Sequence, residues 1–181
     1  MQFVELVDFL LKWRDANPTG SKKVLSAAVL AQCDLKLDKA LLVGKHCVLR
    51  ISQMQEVGND SSAVAALRKI DEYDDRPIVV CLFTTRGMRL LLANTTFLEK
   101  VSDRSYRLTT DHLTGSIVDS DILAAHGGIA NLPANFKKLW AVHQEADKAE
   151  NLARIVTATK DLHARSALAN PGSVRASSKQ R

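Results

Sequence analysis

The chain lacks the short motifs that identify common enzyme reactions. Its 181 residues contain no Walker-type phosphate loop, no G-x-G-x-x-G fingerprint and no G-x-S-x-G nucleophile elbow, and Gly127-Gly128 is an isolated pair. Its three cysteines, Cys33, Cys47 and Cys81, are an odd number without C-x-x-C spacing, which argues against disulfides or a zinc site. We therefore expect buried free thiols in a reducing compartment, and no cofactor or metal.

The chain also lacks an uninterrupted apolar segment at its N-terminus. Glu5, Asp8 and Lys12 interrupt the apolar residues there, which excludes a secretory h-region and a membrane-spanning helix. Apolar residues make up 46% of the chain and charged residues 25%, as in an ordinary globular protein. We expect a cytoplasmic protein that contacts no membrane.

Most of the positive charge lies at the C-terminus. The net charge is +5, but residues 165–181 contain four basic residues and no acid, so residues 1–164 carry only +1. These last residues are rich in Ser, Ala and Arg and poor in large apolar residues, which predicts a disordered tail. The sequence thus predicts one globular domain, 1–164, and a basic tail, 165–181, which is either a solvated end or an arm for nucleic acid.

Helical periodicity marks both ends of the domain. Residues 2–15 are predicted to form an amphipathic helix, which Asn17-Pro18-Thr19-Gly20 ends. A second helix is predicted from Ser21, as its cap, to about Gln32, and a short one from Ser61 or Ser62 to about Tyr73. Two more helices follow residue 130, the first beginning near Pro133.

The strongest strand signals lie in the middle of the chain. Residues 41–52 alternate between apolar and polar side chains, which predicts one strand with a buried and a polar face. Ile78 to Phe83 are six consecutive apolar residues, typical of a strand covered on both faces, and Met88 to Ala93 form its return after the turn Thr85-Arg86-Gly87. The predicted fold is α+β (or α/β), with a small central sheet that includes a hairpin at about 77–94, flanked by N-terminal and C-terminal helices.

Two groups of ionisable residues were considered for catalysis. Asp34-Leu35-Lys36 has the acid-x-Lys spacing of a Mg²⁺-dependent nuclease, but about one such match is expected by chance in this composition, and a polar helix end before a turn at Asp38-Lys39 also explains it. A second group contains Asp111, His112, Asp119, Asp121 and His126. Asp119-Ser120-Asp121 is also typical of a helix N-terminus, so no catalytic or metal-binding residue is predicted. His143, on an apolar helix face beside Trp140, is predicted to be a hydrogen-bonded, partly buried side chain.

The stretch 86–110 has the highest local density of groups suited to nucleic acid. Hydroxyl groups of Ser, Thr and Tyr alternate there with basic side chains, and such groups contact phosphates, while arginine also reads guanine edges. The predicted nucleic-acid-binding residues are Arg86, Arg89, Lys100, Arg104 and Arg107. The alternative is an exposed hairpin end with ordinary solubilising charge.

Three segments carry a resemblance to a known group of proteins. LLLANTTFLEKVS (90–102), TGSIVDSDI (114–122) and ENLARIVTATKDL (150–162) resemble a region of bacterial restriction-endonuclease-like proteins, in which a similar block precedes or accompanies the nuclease module. The resemblance covers about residues 24–162 and includes no catalytic signature. A nuclease segment would follow the last helix in those proteins, whereas a short basic tail follows it here.

The resemblance implies a recognition or accessory part of a restriction or antiviral phage-defence system. The first hypothesis is a non-catalytic module that binds double-stranded DNA through the stretch 86–110. The second is an assembly subunit that holds other proteins of a defence complex and does not contact DNA. A Mg²⁺-dependent nuclease is the third, less favoured, alternative.

Overall fold

The protein folds as an α+β domain, as predicted. The computed structural model describes residues 1–53, 55–57, 60–62, 65–66, 72–84, 87–102, 107–108, 113–114 and 116–169. Within these ranges, two helices precede the strands and two follow them: α1 Phe3–Ala16, α2 Lys22–Gln32, α3 Phe136–Gln144 and α4 Lys148–Ala169.

A mixed five-stranded sheet forms the centre of the molecule. The described strands in chain order are β1 Lys36–Asp38, β2 Leu41–Val43, β3 Val48–Gln53, β4 Gln55–Val57, β5 Asp60–Ser62, β6 Ala65–Ala66, β7 Ile78–Thr84, β8 Gly87–Leu92, β9 Arg107–Leu108, β10 Leu113–Thr114, β11 Ser116–Ile117, β12 Ala125–His126 and β13 Ile129–Ala130. The order in the central sheet is β1-β2-β3-β7-β8, with β3 and β7 parallel and the other neighbours antiparallel. The remaining described strands form two-stranded pairs, β4 with β5, β6 with β11, β9 with β10 and β12 with β13.

The predicted hairpin is confirmed, and its first strand is covered on both faces. β7 and β8 are antiparallel, with Thr84 opposite Gly87, and Gly87 has a φ of +118°, which glycine adopts readily. Val79, Cys81 and Phe83 point into a core cluster with α1, α2 and α3. Ile78, Val80 and Leu82 point into a second cluster with α4, because successive strand side chains point to opposite faces.

The first two helices begin and end within one residue of the predicted positions. Ser21 caps α2, since its hydroxyl accepts a hydrogen bond from the backbone N–H of Val24 at 3.4 Å. Between the helices, Gly20 packs against the ring of Trp13, and a Cβ atom at Gly20 would lie 2.3 Å from Trp13 Cη2. This close approach requires a residue without a side chain and fixes the path of the α1–α2 loop.

The prediction of one strand over residues 41–52 is wrong. Two antiparallel strands, β2 and β3, occupy this region, and Gly44 lies between them. A Cβ atom at Gly44 would lie 2.5 Å from Leu35 Cδ2, so the connection passes close to Leu35. The polar face predicted for the second half is also wrong, because Val48 and Ser52 are both buried.

The prediction of a helix from Ser61 or Ser62 to Tyr73 is wrong as well. Asp60–Ser62 and Ala65–Ala66 are strands, and the second of these pairs with Ser116–Ile117. Residues 63–64 and 67–71 lie outside the described residues. Pairing with a segment far away in sequence replaces the helix that the local alanine-rich sequence favours.

The last helix extends beyond the predicted end of the globular domain. α4 reaches Ala169, five residues into the segment 165–181 that was assigned to the tail, and residues 170–181 lie outside the described residues. Among the described helices, none has an apolar stretch that could cross a membrane. All three cysteines are buried and free, as predicted.

Candidate functional site

The five predicted nucleic-acid-binding residues are only partly described by the structure. Arg86 and Arg104 lie outside the described residues, and Arg107 is described only as part of the backbone of β9, opposite Thr114. Arg89 and Lys100 have described side chains. These two differ sharply in their surroundings.

Arg89 projects from the outer strand of the central sheet into solvent. It lies opposite Leu82 of β7, and its side chain is exposed. Its guanidinium has neither a hydrogen bond nor a carboxylate partner in the part of the chain that the structure describes. Because the strand fixes the backbone, Arg89 presents an available positive charge at a defined position.

Lys100 is engaged with carboxylates. Its ammonium lies 3.2 Å from Glu99 Oε2 and 3.9 Å from Asp121 Oδ1, and only 22% of its side chain is exposed. A phosphate would have to compete with these two charges, so Lys100 is the weaker of the two described contacts.

Asp121 holds together the loop that contains Lys100. It is fully buried, and its carboxylate accepts hydrogen bonds from the backbone N–H groups of Ser102 and Val118, both at 2.9 Å, and from the Ser102 hydroxyl at 2.5 Å. Asp119–Asp121 forms a three-residue 3₁₀ turn, and Ile122 after it is extended, so the helix that Asp119-Ser120-Asp121 was expected to begin does not follow. Asp121 therefore has a structural role.

In the part of the chain that the structure describes, the other ionisable candidates for catalysis do not converge. Asp111 and His112 lie outside the described residues, and His126 contacts the edge of the Phe97 ring at a centroid distance of 5.7 Å. Asp34 and Lys36 are exposed on either side of the buried Leu35, with Lys36 opening β1. Within the described ranges, no group of three or more His, Cys, Asp or Glu side chains could hold a metal ion.

The most concentrated set of buried polar side chains was not found from the sequence. We call it the polar junction: Asp74, Asn94, Thr95, Thr96 and His143, all of which are buried. Asp74 precedes β7 and His143 lies on α3. Asn94, Thr95 and Thr96 follow β8. The only sequence signal for it was the polar triplet Asn94-Thr95-Thr96 directly after a buried strand.

Asp74 is the centre of the polar junction. Its Oδ1 accepts hydrogen bonds from the Asn94 side chain at 3.1 Å and from the Thr95 backbone N–H at 2.9 Å. Its Oδ2 accepts one from the Thr95 hydroxyl at 2.5 Å. Asn94 in turn accepts from the backbone N–H of Ile78 at 2.9 Å, which connects the junction to the first residue of β7. The carboxylate thus has three donors, as a buried charge requires.

Both ring nitrogens of His143 have partners, as predicted for this residue. Nε2 lies 2.8 Å from the backbone oxygen of Asp74, and Nδ1 lies 2.7 Å from Thr96 Oγ1. Because a carbonyl oxygen only accepts, Nε2 must donate, so in the neutral ring Nδ1 accepts from the Thr96 hydroxyl. Asn151 of α4 donates to the same hydroxyl oxygen at 2.9 Å, so the Thr96 hydroxyl both donates and accepts.

Although the residue types of the polar junction suggest proton transfer, its hydroxyl group is buried. Thr96, the hydroxyl beside the imidazole, is 2% exposed and therefore inaccessible to a substrate. Arg154 of α4 adds hydrogen bonds to the backbone oxygens of Leu98 at 2.7 Å and Thr95 at 3.0 Å. The junction therefore fastens α3 and α4 to the end of β8, and its imidazole and hydroxyl are bonded to each other.

An open groove of about 500 Å³ lies over the polar junction. Trp140 and His143 line it together with Glu72, Asp74, Asp75 and Lys148. Asp75 is exposed and bonded to the Arg76 guanidinium at 2.8 Å, and this hydrogen bond lowers the pKa of its carboxyl. Among the described residues, the three carboxylates of this groove face two cations, Lys148 and the Arg76 paired with Asp75, so its net charge is about −1, which does not favour phosphates.

A second groove, of about 360 Å³, lies at the turn end of the β7–β8 hairpin. Trp13, Phe83 and Met88 line its apolar part, and Asn17, Ser21 and Gln53 are among its polar residues. We call it the Trp13 groove. Among the described residues that line it, none is a carboxylate and Arg14 is the one charged residue.

The buried cysteines are poorly suited to nucleophilic chemistry. Burial raises the pKa of Cys81 to about 12 and that of Cys47 to about 11, and it also raises the pKa of Cys33. Since the thiolate is the reactive form, these thiols are inert at neutral pH.

Comparison with known proteins identifies no relative. No protein-family model matches the chain, and neither the curated proteins nor the solved structures contain a match.

Proposed function

We propose that the protein is a non-catalytic nucleic-acid-binding or accessory module of a bacterial restriction or phage-defence system. The observation that carries this proposal is Arg89, an exposed guanidinium on a strand, without a partner among the described residues. It lies within the stretch whose basic and hydroxyl side chains suit phosphate contacts. The placement in a defence system rests on the resemblance of residues 24–162 alone.

The hydrogen bonding of the polar junction supports a non-catalytic role. Its carboxylate, imidazole and hydroxyl groups hydrogen-bond to one another and to the backbone, so they stabilise the fold. Among the described acids, Asp121 is likewise bonded to the loop around it.

The test is salt-dependent binding to a double-stranded DNA of about 20 base pairs, measured by fluorescence anisotropy between about 50 and 200 mM salt. Replacing Arg86, Arg104 and Arg107 together by Ala should weaken binding and lower the slope of log K against log salt by about 3 if each contacts a phosphate. The control replaces Lys12, Lys137 and Lys138 by Ala, which removes the same charge from exposed helix positions. It should retain the wild-type slope.

Absence of duplex binding by the folded protein at low salt would refute the DNA-binding proposal. Mg²⁺-dependent cleavage of the duplex would refute the non-catalytic role.

The assembly subunit is the second candidate. The net charge of +1 over residues 1–164 and the acidic groove beside Trp140 favour it, because neither attracts nucleic acid. It predicts a stable complex with the products of neighbouring genes, measured by co-purification and size-exclusion chromatography. Purification as an isolated chain in their presence would contradict it.

A further inference from the structure

The outer face of α2 is apolar. Val24 and Leu30 are 53% and 46% exposed, and Ala27 and Ala31 are exposed as well. Ala27 lies three or four residues from each of the others, so all four share one side of the helix, which we call the α2 face. A surface helix normally turns charged and polar side chains to water. A single chain therefore leaves this apolar face uncovered.

The helix α1 shows the usual arrangement. Both helices pack on the same core cluster, but the exposed positions of α1 include Glu5, Asp8 and Lys12. The exposed polar residues of α2 are Lys23 and Gln32, which stand near its two ends. The middle of the α2 face thus has no charge to keep it in water, which is typical of a contact surface.

The charges at the ends of α2 are unfavourable for the helix alone. Lys22 and Lys23 stand in its first turn, which contains no acid, and Asp34 follows its C-cap, with no base in the last turn. Because the helix dipole is positive at the N-terminus and negative at the C-terminus, both ends carry charges of the wrong sign. The next base, Lys36, lies opposite Val43, which packs on the α4 side of the sheet, so it points away from α2.

These end charges are also available to another molecule. Lys23 and Asp34 are both exposed, and neither has a partner within the described ranges. A second helix that lies antiparallel to α2 would bring a negative helix end to the lysines and a positive helix end to Asp34. Both unfavourable interactions with the dipole would then be offset across the contact.

We propose that two copies of the chain associate through their α2 faces, with the helices antiparallel and Ala27 at the two-fold axis. Two-fold symmetry makes every contact reciprocal, so Val24 of each copy packs against Leu30 of the other. Ala27 has only a methyl group, which lets the helix axes approach to about 8 Å. Lys23 of each copy then reaches toward Asp34 of the other.

The charge pattern selects a second copy as the occupant. The two ends of α2 carry opposite charges, so the face is complementary to its own antiparallel image, whereas a polyanion or an anionic lipid surface matches only the lysine end. A helix of 11 residues is about 16 Å long. One such helix pair buries less than the roughly 1,200–2,000 Å² of a standard interface, so we expect weak, concentration-dependent association. This inference goes beyond the proposed nucleic-acid binding and does not depend on it.

The test is sedimentation velocity of the full chain between about 5 and 500 µM at about 50 mM salt, where a weak interface and its charges are both detectable. We expect the sedimentation coefficient to rise from monomer toward dimer. Ala27→Glu places two carboxylates at the axis and should abolish this rise, while glutamate keeps the helix, which circular dichroism checks. The matched control Ala153→Glu adds the same charge at an exposed position of α4 and should dimerise like the wild type.

Charge reversal tests the antiparallel arrangement. Lys23→Glu and Asp34→Lys each bring like charges together at two symmetric places, so each alone should weaken dimerisation by about 3-fold to 30-fold. Both substitutions improve the match of α2 with its own dipole, so loss of the helix cannot explain the weakening. The double variant restores opposite charges across the axis and should recover wild-type dimerisation.

Several results would overturn the proposal. A wild-type chain that stays monomeric at the highest concentration does so, and so does a dimer that survives Ala27→Glu. A double variant that dimerises no better than the single reversals overturns the antiparallel contact. Sedimentation of a monomeric chain with anionic lipid vesicles, lost in Ala27→Glu, assigns the α2 face to a membrane surface instead. None of these results bears on the DNA-binding proposal, because the substituted residues are not among its predicted contacts.

Discussion

The polar junction and Arg89 on the hairpin show polar side chains in opposite states. In the junction, Asp74 has three hydrogen-bond donors and His143 uses both ring nitrogens. At the hairpin, Arg89 is exposed and has no partner within the described ranges. Polar residues bonded to one another stabilise a fold, whereas a charge held on a rigid strand without a partner can bind another molecule.

Residues that are neighbours in the sequence also differ in burial and in their partners. Asp74 and Asp75 are adjacent, yet the first is 5% exposed and supports the end of β8, while the second has a side chain that is 63% exposed and pairs with Arg76. Residue type and position along the chain therefore do not show which acid matters for stability.

The largest expected effect is the loss of the junction carboxylate. Asp74→Ala should lower the free energy of unfolding by about 3 to 5 kcal/mol, because it leaves one N–H of the Asn94 amide, the Thr95 N–H and the Thr95 hydroxyl buried without the carboxylate as acceptor. Urea denaturation followed by circular dichroism measures it. The matched control is Asp75→Ala, which should cost less than about 1 kcal/mol because that ion pair is exposed. Equal losses of unfolding free energy in the two variants would show that the buried Asp74 is no more important for stability than the exposed Asp75.

The second effect concerns binding. Arg89→Ala should leave the free energy of unfolding within about 0.5 kcal/mol of wild type, because its side chain is exposed and unpartnered among the described residues. It should lower the salt slope of nucleic-acid binding by about 1 if the guanidinium contacts a phosphate. Lys100→Ala should change binding less, since Glu99 and Asp121 already engage that ammonium. A larger loss of nucleic-acid affinity in Lys100→Ala than in Arg89→Ala, measured by the same anisotropy assay, would show that Lys100 is the more important of the two.

The smallest effect is the pH dependence of the Asp75–Arg76 pair. The Arg76 hydrogen bond lowers the pKa of Asp75 in the folded state, so the pair stabilises the protein above the unfolded-state pKa. This stabilisation is lost as the pH falls through the lower, folded-state pKa. The difference in unfolding free energy between wild type and Asp75→Asn should be below about 1 kcal/mol at pH 7. It should vanish in acid; an unchanged difference at low pH would show that the ion pair is not its cause.

Local sequence patterns correctly predicted the helices and strands that can be recognised without knowing what they pack against. The spacing of apolar residues in α1 and the apolar run of β7 each require burial, whatever covers them, so both were predicted correctly. The N-cap at Ser21 and the end of α1 before Gly20 likewise depend on residues only a few positions apart in the sequence. The helix predicted from Ser61 or Ser62 failed because Ala65–Ala66 pairs with Ser116–Ile117, and nothing within the segment itself shows that partner.

The candidate site was less predictable. The sequence located a stretch rich in arginine and hydroxyl groups, but it did not show that Arg89 is more available than Lys100. One of the two carboxylates near Lys100, Asp121, is distant in sequence and approaches the ammonium only in the folded chain. The Trp13 groove escaped notice because its walls come from α1, the α1–α2 loop, β3 and the hairpin.

The sequence by itself determined the class of fold, the central hairpin, the end helices and the buried thiols. These follow from hydrophobic periodicity, which acts over a few residues and requires only that some apolar surface be covered. Only the tertiary structure decided which polar groups have partners. Asp74, Thr96 and His143 come from three separate parts of the chain, and a buried polar group is stable only when a donor or acceptor from elsewhere reaches it. The same folding that closes the polar junction leaves Arg89 and the Trp13 groove open to other molecules.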